Sequence, residues 1–103
     1  MDQGNVAEIV REYAKRACQT MRVKKVILFG SYARGTASTD SDIDVAVVVE
    51  RVQGDFLSEA SKLFKIRHGL DERIEPVLLE DVDDPSGFYD EINRTGKVCY
   101  QAG

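Results

Sequence analysis

From Asn5 to Met21 apolar residues recur at helical spacing: Val6, Ile9, Val10, Tyr13, Ala14, Ala17, Cys18 and Met21 form one stripe. That pattern predicts an amphipathic helix packed on the rest of the domain. The period then shortens. Residues 23–29 (VKKVILF) read as a strand rich in β-branched side chains that stops at Gly30. Residues 30–41 (GSYARGTASTDS) are small, polar and turn-prone, with room for a short helical turn at Tyr32-Ala33-Arg34. Residues 43–49 (IDVAVVV) are a second strand, apolar on both faces beyond Asp44 and therefore central in its sheet.

Asp55 is placed to cap a helix running to about His68, with Phe56, Leu57, Ala60, Leu63, Phe64 and Ile66 as its apolar stripe. Residues 73–79 (RIEPVLL) form a third strand. Pro76 cannot donate to a ladder, so this strand belongs at an edge or carries a bulge. Residues 83–87 (DDPSG) read as a loop before a short helix ending near Arg94, which Thr95-Gly96 stops; residues 97–100 make a last extended piece. The order helix–strand–turn–strand–helix–strand–helix defines an α/β (α+β) fold, a small sheet with helices layered on it.

At 103 residues the chain is expected to be one domain, 1–103, with 43% hydrophobic and 31% charged residues. No apolar run is long enough to span a bilayer and the first residues lack a signal-peptide core, so no membrane is expected and the protein is placed in the cytoplasm. Cys18 and Cys99 lie far apart and read as buried free thiols, and a single histidine, His68, argues against zinc. A net charge of −4 disfavours a broad nucleic-acid surface but leaves room for a small anion held by backbone groups and an arginine.

The chemistry concentrates at Gly30-Ser31 and, ten residues on, Asp42-Ile43-Asp44. Residues two apart on a strand share a face, so Asp42 and Asp44 point the same way while Ile43 turns into the core. Two crowded carboxylates repel; a bound Mg²⁺, which prefers oxygen ligands, would compensate them. Because the second strand begins where the first ends, the Gly30-Ser31 turn and the two aspartates should adjoin in space. Gly30 lets the backbone approach phosphates, the Ser31 hydroxyl can donate to a phosphate oxygen, and Arg34 can neutralise phosphate charge with forked N–H bonds. Gly30, Ser31 and Arg34 are thus the candidate nucleotide-binding residues. Glu75 is the third acid: a carboxylate within an apolar strand needs a partner or a ligand. It is either paired to Arg73 or Lys65, or serves as a metal ligand or the base that takes the acceptor's proton.

Two rival motifs fail on spacing. Asp40-x-Asp42-x-Asp44 opens like an EF-hand loop, but Val45 and Arg51 stand where glycine and glutamate are required. Gly30 to Gly35 has the frame of a P-loop, but Thr36 follows where lysine is needed.

The runs LFGSYARGTA (28–37) and DSDIDV (40–45) resemble the minimal nucleotidyltransferase group of the polymerase-β-like nucleotidyltransferase superfamily. The resemblance implies a mixed sheet with helices packed on it. It also implies a two-metal Mg²⁺ site that moves a nucleoside monophosphate, from ATP or another nucleoside triphosphate, onto a hydroxyl with release of pyrophosphate. By that likeness Gly30 and Ser31 bind the triphosphate, Asp42 and Asp44 ligate both metals, and Glu75 holds the third-carboxylate position, where many relatives carry the shorter aspartate. Members of this group commonly sit beside a HEPN-domain protein, and some act as antitoxins that adenylylate a tyrosine on that toxin. The expectation is therefore an enzyme, a protein adenylyltransferase acting on a HEPN-type partner. The alternative is a weak or inactive binding module of the same fold that neutralises its partner by contact. A nucleic-acid nucleotidyltransferase subunit is a third reading, against which the acidic balance counts. The first helix could also serve a homo-oligomer interface.

Overall fold

A computed structural model of the protein describes residues 3–38, 40–82 and 85–102. Thr39 of the expected turn and Asp83-Asp84 of the expected loop lie outside the described residues. The elements run α1 (Gln3–Thr20), β1 (Lys25–Phe29), α2 (Ser31–Arg34), β2 (Ile43–Val49), α3 (Phe56–Lys65), β3 (Ile74–Glu80), α4 (Phe88–Thr95) and β4 (Lys97–Gln101). The four strands form one mixed sheet in the order β3-β2-β1-β4. β1 is antiparallel to both β2 and β4, whereas β2 and β3, joined through α3, are parallel. That βαβ crossover puts α3 on one face of the sheet, as a parallel connection requires. The Pro76 strand lies at an edge and the apolar β2 lies inside, as their sequences demand.

Alternation along the strands gives the sheet two unlike faces. On the first, Val26, Leu28, Ile43, Val45, Val47, Ile74 and Leu78 pack against Val6, Val10, Tyr13, Ala14 and Ala17 of α1 and Leu63 of α3. The Tyr13 hydroxyl donates to the Leu63 carbonyl at 2.5 Å, tying the two helices together; burial pushes that phenol's pKa up. On the second face Ile27, Ala46 and Val48 meet only Tyr89 and Ile92 of α4, with Phe29 and Leu79 at the margin. Gly96 makes the α4–β4 turn possible: a Cβ there would stand 2.5 Å from Ile27 Cγ2 and 2.6 Å from the Ile92 carbonyl. The asymmetry is simple. Two helices cover one face, and a single helix of eight residues covers the other.

The local chemistry of the helices follows the expected signals. Asp55 caps α3, its side chain accepting from the Ser58 N–H at 2.9 Å, and Gly96 closes α4 with its N–H on the Ile92 carbonyl. Two expectations are corrected. Cys18 is exposed and not buried, because the stripe of α1 that meets the sheet is narrower than the sequence pattern; Cys99 is half-buried. Of the α3 stripe only Leu63 is buried, while Phe56, Leu57 and Phe64 are 47%, 76% and 41% exposed. The helix is amphipathic, with Ala60 and Ile66 half-buried against the core, but Phe56, Leu57 and Phe64 face outward, the Arg67 guanidinium lying over the Phe64 ring.

Candidate active site

Residues 30–41 fold into a short helical turn and a return loop. Gly30 precedes α2 with φ 74°, a conformation glycine adopts at little cost, and Gly35 ends α2 in the left-handed region. The Arg34 N–H donates to the Gly30 carbonyl at 3.1 Å and the Thr36 N–H to the Ser31 carbonyl at 2.9 Å. The return is pinned from below by Tyr32, which is buried: its hydroxyl donates to the Ser38 carbonyl at 2.9 Å and accepts from Arg73 Nη1 at 3.0 Å. Arg73 is itself held by Asp71 at 2.7 Å, whose carboxyl it keeps below the ordinary value. Ser38 and Ser41 close the turn reciprocally.

This loop brings the two ends of the motif together. In the β1–β2 ladder Phe29 pairs with Asp44, so the Gly30 turn lies directly against the first residues of β2. The fit is tight: a Cβ at Gly30 would stand 2.2 Å from Asp44 Oδ2. Only a residue without a side chain leaves that carboxylate its place. On the other side, Asp44 pairs with Glu75 in the parallel β2–β3 ladder, so the two carboxylates share a face. Burial raises the Asp44 pKa, and the charges of Asp42 and then Glu75 raise it further, against the opposing pull of Arg34. Among the described residues Glu75 forms no ion pair, and Arg73, one of its expected partners, is bonded to Asp71 instead.

A cleft of about 610 Å³ gathers Gly30, Ser31, Arg34, Asp42 and Asp44. Glu75 is not in its lining; it stands beside Asp44 on the sheet. Among the described residues no group of three His, Cys, Asp or Glu side chains is gathered closely enough to hold a metal. The opposite wall belongs to α4, whose Phe88, Glu91, Ile92 and Thr95 recur at helical spacing along the cleft. Phe88 meets Phe29 edge to face, ring centres 6.1 Å apart. This wall was missed in the sequence. The only signal was the helical spacing of 88, 91, 92 and 95, and nothing local ties that helix to Gly30. A larger hollow, about 1320 Å³, lies at the far end of β2, near Arg22, Lys24, Glu50, Arg51 and Asp81. Its lysine and aspartate are paired to each other, and it shares no residue with the glycine-serine turn or the two aspartates.

A phosphate-sized turn beside paired carboxylates on a mixed sheet is the layout of a nucleotidyl-transferring domain, and the comparisons agree. The family model described as "Nucleotidyltransferase domain" matches residues 8–96, and the chain belongs to that family. Two proteins of Methanocaldococcus jannaschii, each named as a candidate protein adenylyltransferase, are 36% and 32% identical to it. The first alignment covers 88% of this chain and 95% of the relative, the second 77% and 80%. Among solved structures, a candidate nucleotidyltransferase from Sulfolobus solfataricus superposes with a TM-score of 0.71 at 18% identity, over 96% of this chain and 83% of that one. A toxin–antitoxin complex with AMP-PNP contains a chain matching at a TM-score of 0.59 and 22% identity, over 99% of this chain and 75% of that one. A mutant of the MntA toxin–antitoxin complex matches at 0.62 and 20%, over 99% and 75%. The protein is a nucleotidyltransferase, adenylyltransferase-like, on the mixed-sheet fold the sequence implied. No helix among the described residues is long and apolar enough to cross a membrane.

Proposed function

We propose that the protein is a metal-dependent cytoplasmic enzyme, acting through residues 1–103 as one domain. It transfers AMP from ATP to a tyrosine hydroxyl of a partner HEPN-type toxin and so works as that toxin's antitoxin. The observation that carries this reading is the packing of Asp44 against Gly30, where the glycine's missing side chain keeps a carboxylate that Arg34 only partly offsets beside the glycine-serine turn. The relatives named for protein adenylylation and the neighbouring toxin–antitoxin structures support the nucleotide and the kind of partner.

The residues fit a hard divalent cation: Asp42 and Asp44 both line the cleft and offer oxygen donors, and burial together with the neighbouring acids already disfavours the charge on Asp44. Mg²⁺ bound there would polarise the phosphoryl oxygens and ease departure of pyrophosphate. The chain itself does the rest. Gly30 gives the polyphosphate access to the backbone, Ser31 donates to a phosphate oxygen, and Arg34 offsets the phosphate charge. Asp42 and Asp44 fix the reacting end of the nucleotide. Glu75, next to Asp44 on the ladder, would take the proton of the incoming hydroxyl. The acceptor oxygen bonds to the α-phosphorus as the bond to the β-phosphate oxygen breaks, its proton passes to a carboxylate or water, and pyrophosphate leaves.

The test is transfer of α-phosphate label from ATP to the purified partner with Mg²⁺. Label on a partner tyrosine is expected, and Asp42→Asn with Asp44→Asn should lower it by at least about a thousandfold, the scale of losing an electrostatic anchor. Absence of label with wild-type protein, or label indifferent to the double substitution, overturns the reading. A second reading, neutralisation by contact alone, is favoured by one observation: the described residues contain no gathered set of three acids, since Glu75 stands outside the cleft. It requires that the double Asn variant still bind and silence the partner.

A further inference from the structure

The phosphate turn and the aspartates account for only part of the cleft. Its remaining wall carries Phe88, 43% exposed at the start of α4, although large apolar side chains are usually buried. Phe88 is not loose. Its ring is set against Phe29 at an interplanar angle of 88° with centres 6.1 Å apart, the edge-to-face arrangement that aromatic quadrupoles favour. Phe29 is fixed in turn, being the last residue of β1 and the ladder partner of Asp44. The aromatic pair thus ties the start of α4 to the strand that ends in the phosphate turn.

One cleft therefore holds two chemistries at fixed separation, hydroxyl, guanidinium and carboxylates on one wall and an exposed aromatic ring on the other. Those are the two halves of a nucleoside triphosphate, a charged tail and a flat base. The volume, about 610 Å³, lies within the range that accommodates one small-molecule ligand.

Resting on the nucleotidyl-transfer reading, we infer that Phe88, braced by Phe29, is the platform on which the nucleobase of the bound triphosphate stacks. Stacking is tolerant of base identity because every base has a π-face. The platform thus distinguishes a nucleotide from bare polyphosphate without a hydrogen-bond code.

The experiment compares equilibrium binding of Mg-ATP and Mg-triphosphate, without acceptor, to wild-type protein, Phe88→Ala, Phe88→Leu and Phe88→Trp. Wild type should bind ATP more tightly than triphosphate. The Ala and Leu variants should lose about five- to a hundredfold in ATP affinity, the usual range for one base–aromatic stack, and keep triphosphate affinity unchanged. Phe88→Trp should retain ATP binding. Leu preserves apolar bulk, so its loss together with Ala's isolates the aromatic face, and an unchanged melting temperature for either variant excludes misfolding as the cause. Wild-type protein that binds ATP no better than triphosphate overturns the platform and leaves the transfer reading standing, as do Ala and Leu variants that bind ATP like wild type. Variants that bind ATP normally but fail in label transfer overturn it too, and assign Phe88 to the acceptor. Wild-type protein that binds neither ligand overturns both.

Discussion

On one face of the sheet, Val26, Leu28, Val45 and Val47 disappear beneath two helices; on the other, Asp44 and Glu75 stand at the end of the same ladder beside a single short helix. The first face contains most of the buried apolar residues and draws on six elements. The second buries a small cluster at the β1–β2 centre and leaves its strand ends open. The difference is a division of labour. A carboxylate with two like-charged neighbours destabilises the fold when ionised, so it is tolerated where burial is incomplete and where a ligand can compensate it. Stability comes from the other side of the same strands. Neighbouring residues at the start of β2 thus serve opposite ends: Ile43 is fully buried, while Asp44 and the preceding Asp42 line the cleft.

The sharpest way to break this division is to damage the covered face. Leu63→Ala removes a nearly fully buried side chain from between α3 and the sheet and should cost about 2–5 kcal/mol, read as a lowered denaturation midpoint. Transfer per folded molecule should be unaffected. If it falls as steeply as in the Asp42→Asn, Asp44→Asn variant, the two faces are not independent. Gly30→Ala attacks the other side. It places a Cβ 2.2 Å from Asp44 Oδ2 at a positive φ, for about 1–3 kcal/mol of strain. Its larger consequence is for transfer, which should drop by about a hundredfold as Asp44 is displaced. A Gly30→Ala protein with normal transfer would show that the contact does not set the carboxylate.

The smallest expected effect concerns Asp71, which holds the arginine that supports Tyr32 and the phosphate turn. Its carboxyl is kept below the ordinary value of 3.8 chiefly by its hydrogen bonds to Arg73. The folded protein therefore binds fewer protons at this site than the unfolded chain. The resulting stabilisation is complete above the ordinary value and fades as pH falls through the lower, folded one. The pair is part-buried and still reached by solvent, so the gain is about 1 kcal/mol. Melting temperatures from pH 6 to pH 3 should fall less steeply for Asp71→Asn than for wild type. Parallel curves would remove this pair from the acid response.

Much of this molecule was legible in its residues because the signals are local. An unbroken apolar run gave β2, Pro76 put its strand at an edge or a bulge, Asp55 capped α3, and the spacing of Gly30, Ser31, Asp42 and Asp44 required only that β1 and β2 be antiparallel neighbours. Burial was harder to read. An apolar stripe states which side of a helix could be covered, not whether anything covers it, so Cys18 was placed inside and the outward Phe56, Leu57 and Phe64 were not foreseen. The networks were beyond reach as well. Arg73 bonds Tyr32 across 41 positions of chain, and Phe88 meets Phe29 across 59 (88 − 29), separations over which spacing carries no information.

What the sequence determined by itself was the set of elements and the chemical character of the cleft, since side-chain period, turn residues and charge are properties of short segments. Which surfaces are covered and which aromatic ring lines the cleft were decided only in the assembled sheet. Strand order and helix placement bring together residues that share no local pattern, and the chain's own periodicity leaves that order open.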